Sequence, residues 1–411
     1  MTDTGSRIAM PWRMENSTAT MTSSTPGLSD QVVAYARRVA ARRAREKLCT
    51  LFAESDIRVD NDLPWSPKVH DDRVYGRILK GGMLSVGESY VDGDWDCTSL
   101  DELAARFNRL GIDQMVGSIS RGLADAINVR LVNRQRVRAA VANGRAHYDR
   151  GDDLYAAMLG DTMVYSCGYW QHATTLDDAQ RAKHELVCAK LDLHDRQSML
   201  DVGCGYGELA RHAAAKHGVH VVGATVSHNQ AEHARRRCAG LPVKIEESDY
   251  RSLHGRFDRI VSIGMFEHVG PRNYERFFTQ MRRLLAPDGL FLLHTIGHSG
   301  EKPSLDPWLD RYIFPGAMLP TARGLTEALD GKFVIEDWQN LGADYDKTLL
   351  AWYQNFDRAW PSLLHYGHRF YRAWRYYLLT SAGSFRARRN QVWQLVLSPH
   401  GHQSGYRRPL L

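Results

Sequence analysis

Leu200-Asp201-Val202-Gly203-Cys204-Gly205-Tyr206-Gly207 ends an apolar run on an acid and then sets three glycines at alternate positions. Such spacing lets the backbone turn tightly beside a ligand before a helix opens at about Glu208. Outward from this turn, apolar β-type runs over 199–202, 220–226, 243–246, 259–263 and 290–295 alternate with helical segments around Leu209, Ala231, Phe277 and Leu325. Strands alternating with helices predict βαβ units and a parallel sheet covered on both faces. Two later strands, 333–338 and 391–397, bracket a long aromatic helical insertion. The expected fold is α/β, a doubly wound sheet behind a smaller mixed N-terminal domain.

The chain has 411 residues, 43% hydrophobic and 24% charged. That is enough apolar material for a sizeable core and excludes a wholly disordered or fibrous chain. No window approaches the ~18 apolar residues of a membrane span, and the first thirty residues lack a secretory apolar region. A cytoplasmic protein is expected. Residues 1–28 read as a flexible tail in which Met14 and Met21 are alternative starts. Residues 29–120 read as a small accessory domain, 121–146 as a basic connector, 147–399 as the catalytic domain and 400–411 as a second tail. The stretch from Ile57 to Trp95, with Gly81-Gly82 and Gly87, reads as short β-rich runs and turns, and a helix starts near Ser99. Six cysteines without a CxxC pair give little support to a disulfide framework or a metal site. The net charge of +6 is modest and diffuse, which disfavours nucleic acid as a partner.

The cofactor class follows from what surrounds the glycines. A dinucleotide site usually places an acid about 20 residues further on, but Val221 to Gln230 ends its strand without one. Asp201 would repel phosphates and suits a cationic or ammonium-bearing ligand, so S-adenosylmethionine fits better than NAD. Ser227 and Gln230 have capping-box spacing, and capping and cofactor contact stand level for them. Tyr250 can stack on adenine and Asp249 can accept from its amino group, unless Asp249 merely caps a turn. Glu267-His268 reads equally as a solvated pair or as a base at a strand end. His294 ends the neighbouring strand on the expected ligand face. Cys167 reads as a buried thiol before a nucleophile.

Together these segments resemble the cyclopropane-fatty-acyl-phospholipid synthases, in the same family as the mycolic acid cyclopropane synthases. The likeness is carried by His147-Tyr148-Asp149, Tyr165-Ser166-Cys167, Asp201-Val202-Gly203-Cys204-Gly205 and Thr225-Val226-Ser227-His228-Asn229-Gln230. It continues through Asp249-Tyr250-Arg251, Phe266-Glu267-His268-Val269-Gly270, Leu293-His294-Thr295-Ile296-Gly297, Gly342-Ala343-Asp344-Tyr345-Asp346 and Phe385-Arg386-Ala387-Arg388, from about residue 48 to 398. The segment around Gly87-Glu88-Ser89-Tyr90 looks like the accessory domain of the phospholipid-acting branch.

The resemblance implies a class I methyltransferase (Rossmann-like) domain with a helical lid insertion. It also implies S-adenosylmethionine held by Tyr165, Ser166, Gly203, Gly205, Thr225, Gln230, Tyr250 and Arg251. To these the residue reading adds Asp201 and Asp249. A bicarbonate ion would be caged by Glu267, His294 and Tyr345, with backbone groups at Cys167 and Ile296. An alkene is a feeble nucleophile, so the sulfonium methyl must lie in line at ~3 Å in a dry site; a basic anion beside the resulting cation removes the proton that lets a ring close. The implied substrate is an unsaturated phospholipid acyl chain, met transiently at the inner face of the membrane. A methyl- or methylene-branched product is the rival outcome, and a non-catalytic lipid-binding homologue a remoter one. Ser381 stands where some members carry a cysteine, which argues against an obligatory thiol there. The aromatic run from Trp352 to Tyr377 reads mostly as core packing and otherwise as an acyl channel. The basic helix from Gln31 and the connector from Arg121 suit anionic lipid, or equally a solvated face or a homodimer contact.

Overall fold

The computed structural model describes residues 39, 42–50, 52–53, 56–111 and 151–409. The tail 1–28, the connector 121–146 and His147-Tyr148-Asp149 lie outside the described residues.

Helical residues 42–50 precede a short antiparallel pair, β1 (Lys68–Val69) and β2 (Trp95–Asp96), with α1 (Arg73–Asp92) between them and α2 (Leu100–Arg109) after. The expected turns of 57–95 are thus replaced over most of that length by a helix. Its glycines misled because only Gly82 bends the chain, at φ +59° inside the helix. Gly87 instead admits the indole of Trp308, which a Cβ there would strike.

The remaining elements run in order. They are α3 (Asp152–Leu159), α4 (Leu176–Lys190), β3 (Ser198–Val202), α5 (Glu208–His217), β4 (His220–Thr225), α6 (His228–Arg237), β5 (Val243–Glu247), β6 (Phe257–Ile263), α7 (Tyr274–Leu284) and β7 (Leu285–His298). Then follow α8 (Pro307–Tyr312), α9 (Ala322–Leu329), β8 (Val334–Asn340), α10 (Gly342–Ala359), α11 (His368–Arg386) and β9 (Asn390–Ser398). All seven strands expected from 199 onward form, although β7 is much longer than 290–295. They make one sheet in the order β5-β4-β3-β6-β7-β9-β8, parallel from β5 to β7, with β9 antiparallel to both its neighbours. The chain reverses direction of travel between β3 and β6, and ligands of such sheets sit at that switch point, beyond the carboxyl ends of the strands.

Periodicity explains the covering helices. On α7, Tyr274, Phe277, Phe278, Met281 and Leu284 are buried, the i, i+3, i+4, i+7 stripe of a helix against a sheet. Helix α4 is capped by Thr175, whose side chain accepts from Asp178 N at 3.2 Å.

The N-terminal segment shares a core with the insertion. Leu48, Tyr90, Trp95 and Leu100 belong to one apolar cluster with Trp308, Trp352 and Trp374. Arginines of α11 reinforce the contact: Arg372 donates to Trp95 O and Asp96, Arg375 to Cys97 O and Thr98 O, and Arg386 pairs with Asp101 at 2.8 Å and Asp346 at 3.0 Å. The aromatic run is largely this core, with Phe370 stacked on Trp374 at 5.3 Å. The C-terminal residues to 409 also dock, Arg408 pairing with Asp337 and Tyr406 donating to Lys190 O at 3.1 Å. Among the described residues, no helix is long and apolar enough to cross a membrane.

Candidate active site

A cleft opens where β3, β4, β5 and β6 end, at the switch point. All ten residues expected to surround a cofactor line it: Tyr165, Ser166, Asp201, Gly203, Gly205, Thr225, Gln230, Asp249, Tyr250 and Arg251. The glycine turn leaves room by necessity. Gly203 sits at φ +86°, and a Cβ on it would come within 2.8 Å of Met265 Cβ, so a side chain there would be both strained and crowded.

Around the turn, backbone and side-chain roles overlap. Ser227 caps α6 by accepting from Gln230 N at 3.4 Å, while the Gln230 side chain turns to Thr225, whose hydroxyl donates to Oε1 at 2.9 Å. Capping and cleft-lining are therefore combined in this pair. Asp249 caps the turn Tyr250–Ser252, and both of its carboxylate oxygens accept from the Arg251 guanidinium at 2.7 Å. Asp249 therefore caps a turn and also lines the cleft. Tyr250 packs edge-on to Phe277 with ring centroids 5.2 Å apart.

Two residues of α4 also line the cleft and carry no signal in the sequence, Lys183 and His184. Lys183 is 1% exposed; its ammonium donates to Ser166 Oγ at 3.1 Å, and Gln180 donates to Ser166 O at 2.8 Å. Burial pulls the Lys183 ammonium down to about 8, offset in part by the nearby Asp201 and Glu208. Burial likewise raises the Asp201 carboxyl to about 7, against the lowering influence of Lys183.

The five residues expected to do chemistry lie outside the cleft lining. Glu267 is 4% exposed, in a short turn after β6, so the solvated-pair reading of Glu267-His268 fails. Its Oε1 accepts from Ile296 N at 2.7 Å, and its Oε2 is buried without a hydrogen-bond partner. Burial raises this carboxyl to about 7, more than the bond from Ile296 lowers it. His294, two residues before Ile296 on the same face of β7, is buried, and burial lowers its imidazole to about 3. The ring is neutral at physiological pH. Gln394 Nε2 lies 3.1 Å from its Nδ1; with the amide as donor, the ring proton sits on Nε2, facing away from Gln394.

Tyr345, on the first turn of α10, is wedged between Phe385 and Trp352 at 4.6 and 5.8 Å. It is joined to the same region through the backbone, because Leu341 N donates to Val392 O at 2.7 Å and Val392 is the β9 partner of Ile296. Cys167 is fully buried, its thiol donating to Leu341 O at 3.7 Å. Burial holds the thiol well above its usual range, which leaves no thiolate for a nucleophilic role. Tyr165 bonds Tyr377, hydroxyl to hydroxyl, at 2.7 Å and packs on Trp352 at 5.1 Å, so the cleft ends against an aromatic wall.

Away from the cleft, Cys188, His212 and His217 bring their donor atoms within 4.8 Å of one another, a proximity that no spacing in the sequence signals.

Residues 135–395 match the mycolic acid cyclopropane synthetase family model. The cyclopropane-fatty-acyl-phospholipid synthase of Escherichia coli (strain K12) is 44% identical over 358 residues, 87% of this chain and 94% of that protein. The tuberculostearic acid methyltransferase UfaA1 of Mycobacterium tuberculosis is 30% identical over 354 residues, 80% of this chain and 82% of its own. Among solved structures, mycolic acid cyclopropane synthase CmaA1, complexed with SAH and CTAB, has a TM-score of 0.59 and 33% identity. It covers 62% of this chain and 97% of that one.

Proposed function

The chain belongs to the mycolic acid cyclopropane synthetase family, and from that membership we propose that it adds a methylene group from S-adenosylmethionine across the cis double bond of an unsaturated phospholipid acyl chain, giving a cyclopropane ring. It is an S-adenosylmethionine-dependent methyltransferase. The observation that carries the reaction is the 44% identity to the Escherichia coli synthase over nearly the whole length of both chains.

The residues of the cleft suit such a cofactor. Gly203 keeps the wall free of side chains, Asp201 offers a carboxylate to a cationic ligand, and Lys183 fixes Ser166 at the rim. When bound, S-adenosylmethionine supplies an electrophilic methyl group. The aromatic wall of Tyr165, Trp352 and Tyr377 keeps water from the weakly nucleophilic alkene.

Ring closure then needs one proton taken from the transferred carbon. Glu267, His294 and Tyr345 would hold a bicarbonate ion for this, with backbone groups at Cys167 and Ile296; such an anion supplies the base. The buried, unpartnered Oε2 of Glu267 supports the reading, because a lone polar atom in a dry interior costs stability unless a ligand completes it. At about 7, the carboxyl can accept or share a hydroxyl proton near neutral pH. His294 Nε2–H and the Tyr345 hydroxyl are donors suited to orienting an oxyanion.

Substrate access is at a membrane surface, with the protein at the inner face as a peripheral partner or homodimer. The turn between α10 and α11 leaves Leu364 64% exposed, an apolar tip that fits this reading. A methyl or methylene branch in place of the ring is the second outcome, favoured by the likeness to the tuberculostearic acid methyltransferase.

The test combines purified protein, vesicles of unsaturated phospholipid and methyl-labelled S-adenosylmethionine, with and without bicarbonate. Label in acyl chains bearing high-field ring protons by NMR is expected. A labelled branched chain without them rejects ring closure, unlabelled lipid rejects the reaction, and a rate indifferent to bicarbonate depletion removes the anion.

A further inference from the structure

The C-terminal half of α4 packs against the middle and C-terminal end of α5. From α4 come Glu185 and Cys188, one turn apart; from α5 come His212 and His217. The donor atoms of Cys188, His212 and His217 lie within 4.8 Å of one another. Glu185 closes the fourth side, its Oε1 3.2 Å from His212 Nε2 and its Oε2 3.9 Å from His217 Nε2. Neither of those ring nitrogens makes a hydrogen bond of proper geometry, although both are buried atoms. Cys188 is fully buried and His212 nearly so, while His217 and Glu185 are 26% and 48% exposed as side chains and leave a path from solvent.

We propose that Cys188, His212, His217 and Glu185 form a binding site for a divalent transition ion of the zinc class, clamping α4 to α5 beside the cofactor cleft. Thiolate, two imidazoles and a carboxylate are the donor types this ion class selects. A tetrahedral ion at ~2.3 Å from sulfur and ~2.1 Å from nitrogen sets its donors roughly 3.5 Å apart. The donors of Cys188, His212 and His217, no more than 4.8 Å apart, would therefore draw in by about 1 Å at most.

Binding replaces the Cys188 S–H bond by a metal–sulfur bond, and the proton leaves to solvent. Burial holds the free thiol up at about 12, so the ion takes the place of that proton rather than finding a thiolate ready made. The clamp is one ring away from the cleft. His184, which lines the cleft, lies 5.6 Å from the His212 ring, centroid to centroid. The proposal does not depend on the reaction assigned above.

The test uses the untagged full chain, stripped with a chelator and titrated with cobalt(II) as a spectroscopic stand-in and then with zinc. One equivalent of cobalt should bring visible bands of tetrahedral intensity and a thiolate charge-transfer band in the near ultraviolet, and zinc should displace it. Zinc should also raise the melting temperature of the wild-type chain. Cys188→Ala should abolish the charge-transfer band. Because that position is in the core, His217→Gln at a partly exposed site serves as the second variant; it should weaken zinc binding at least tenfold and remove the thermal shift. A cobalt spectrum without sulfur character, sub-stoichiometric binding, or zinc affinity unchanged in His217→Gln would each overturn the site.

Discussion

Replacing Glu267 with Gln separates the chemical role of a buried carboxylate from its cost to the fold. Glu267 is 4% exposed, and burial moves its carboxyl from the usual 4.5 to about 7. Between those values the folded chain keeps a proton that the unfolded chain has released, so stability falls as pH rises through this window. At ~1.4 kcal/mol for each tenfold change in proton affinity, the loss amounts to about 3 kcal/mol, complete above pH 7 and nearly absent near pH 4. Gln never ionises and keeps a carbonyl oxygen for Ile296 N, now 2.7 Å from Oε1. The shift already includes that bond, so the variant should be more stable than the parent at pH 8 by about 3 kcal/mol, the difference shrinking toward zero near pH 4. Turnover should fall by roughly 10²–10⁴-fold, the usual worth of acid–base assistance, with the affinity for S-adenosylhomocysteine little changed. Urea melts at the two pH values, calorimetric titration and the labelled-lipid assay read all three. A stability difference independent of pH would refute the desolvation argument. Undiminished turnover would remove Glu267 from the chemistry.

Lys183→Met takes away the ammonium that restrains Asp201, whose carboxyl burial already holds at about 7. Asp201 should become neutral near pH 7, and calorimetry should find S-adenosylhomocysteine binding weakened about tenfold there and partly restored at pH 9; equal weakening at both values would refute the coupling. Gly383→Ala probes the docking of the N-terminal helices, because a Cβ there would strike Asp101 O and lie 2.7 Å from Ala104 Cβ. A loss of ~1–3 kcal/mol in thermal or denaturant melts, with faster proteolysis within 56–111, is expected, and an unchanged melt would show that α2 yields without strain.

What could be read from the sequence depended on how local its cause is. The run from Asp201 to Gly207 announces itself because each residue answers to something within a few positions: a strand's end, a turn, a helix start. Eight of the ten expected cofactor residues sit at such ends; with Tyr165 and Ser166, which lie in the loop between α3 and α4 and which the family resemblance supplied, they converge in one cleft. Glycines 81, 82 and 87 defeated the same reasoning. Composition cannot distinguish a glycine that bends the chain, as Gly82 does, from one that makes room for a distant indole, as Gly87 does for Trp308. Helix α4 is the sharper case. No local motif sets Lys183 or Glu185 apart from ordinary surface charges. Packed against α5 and the end of β3, the helix instead puts Lys183 and His184 in the cofactor cleft. On an adjoining face it puts Glu185 and Cys188 beside two histidines from another element. Burial creates both situations, since Lys183 at the surface would leave the buried Asp201 carboxyl without the cation that holds it down. A substitution that shifts α4 along its axis should therefore disturb the cleft and the histidine cluster together, whereas one that only changes a side chain should disturb one of them.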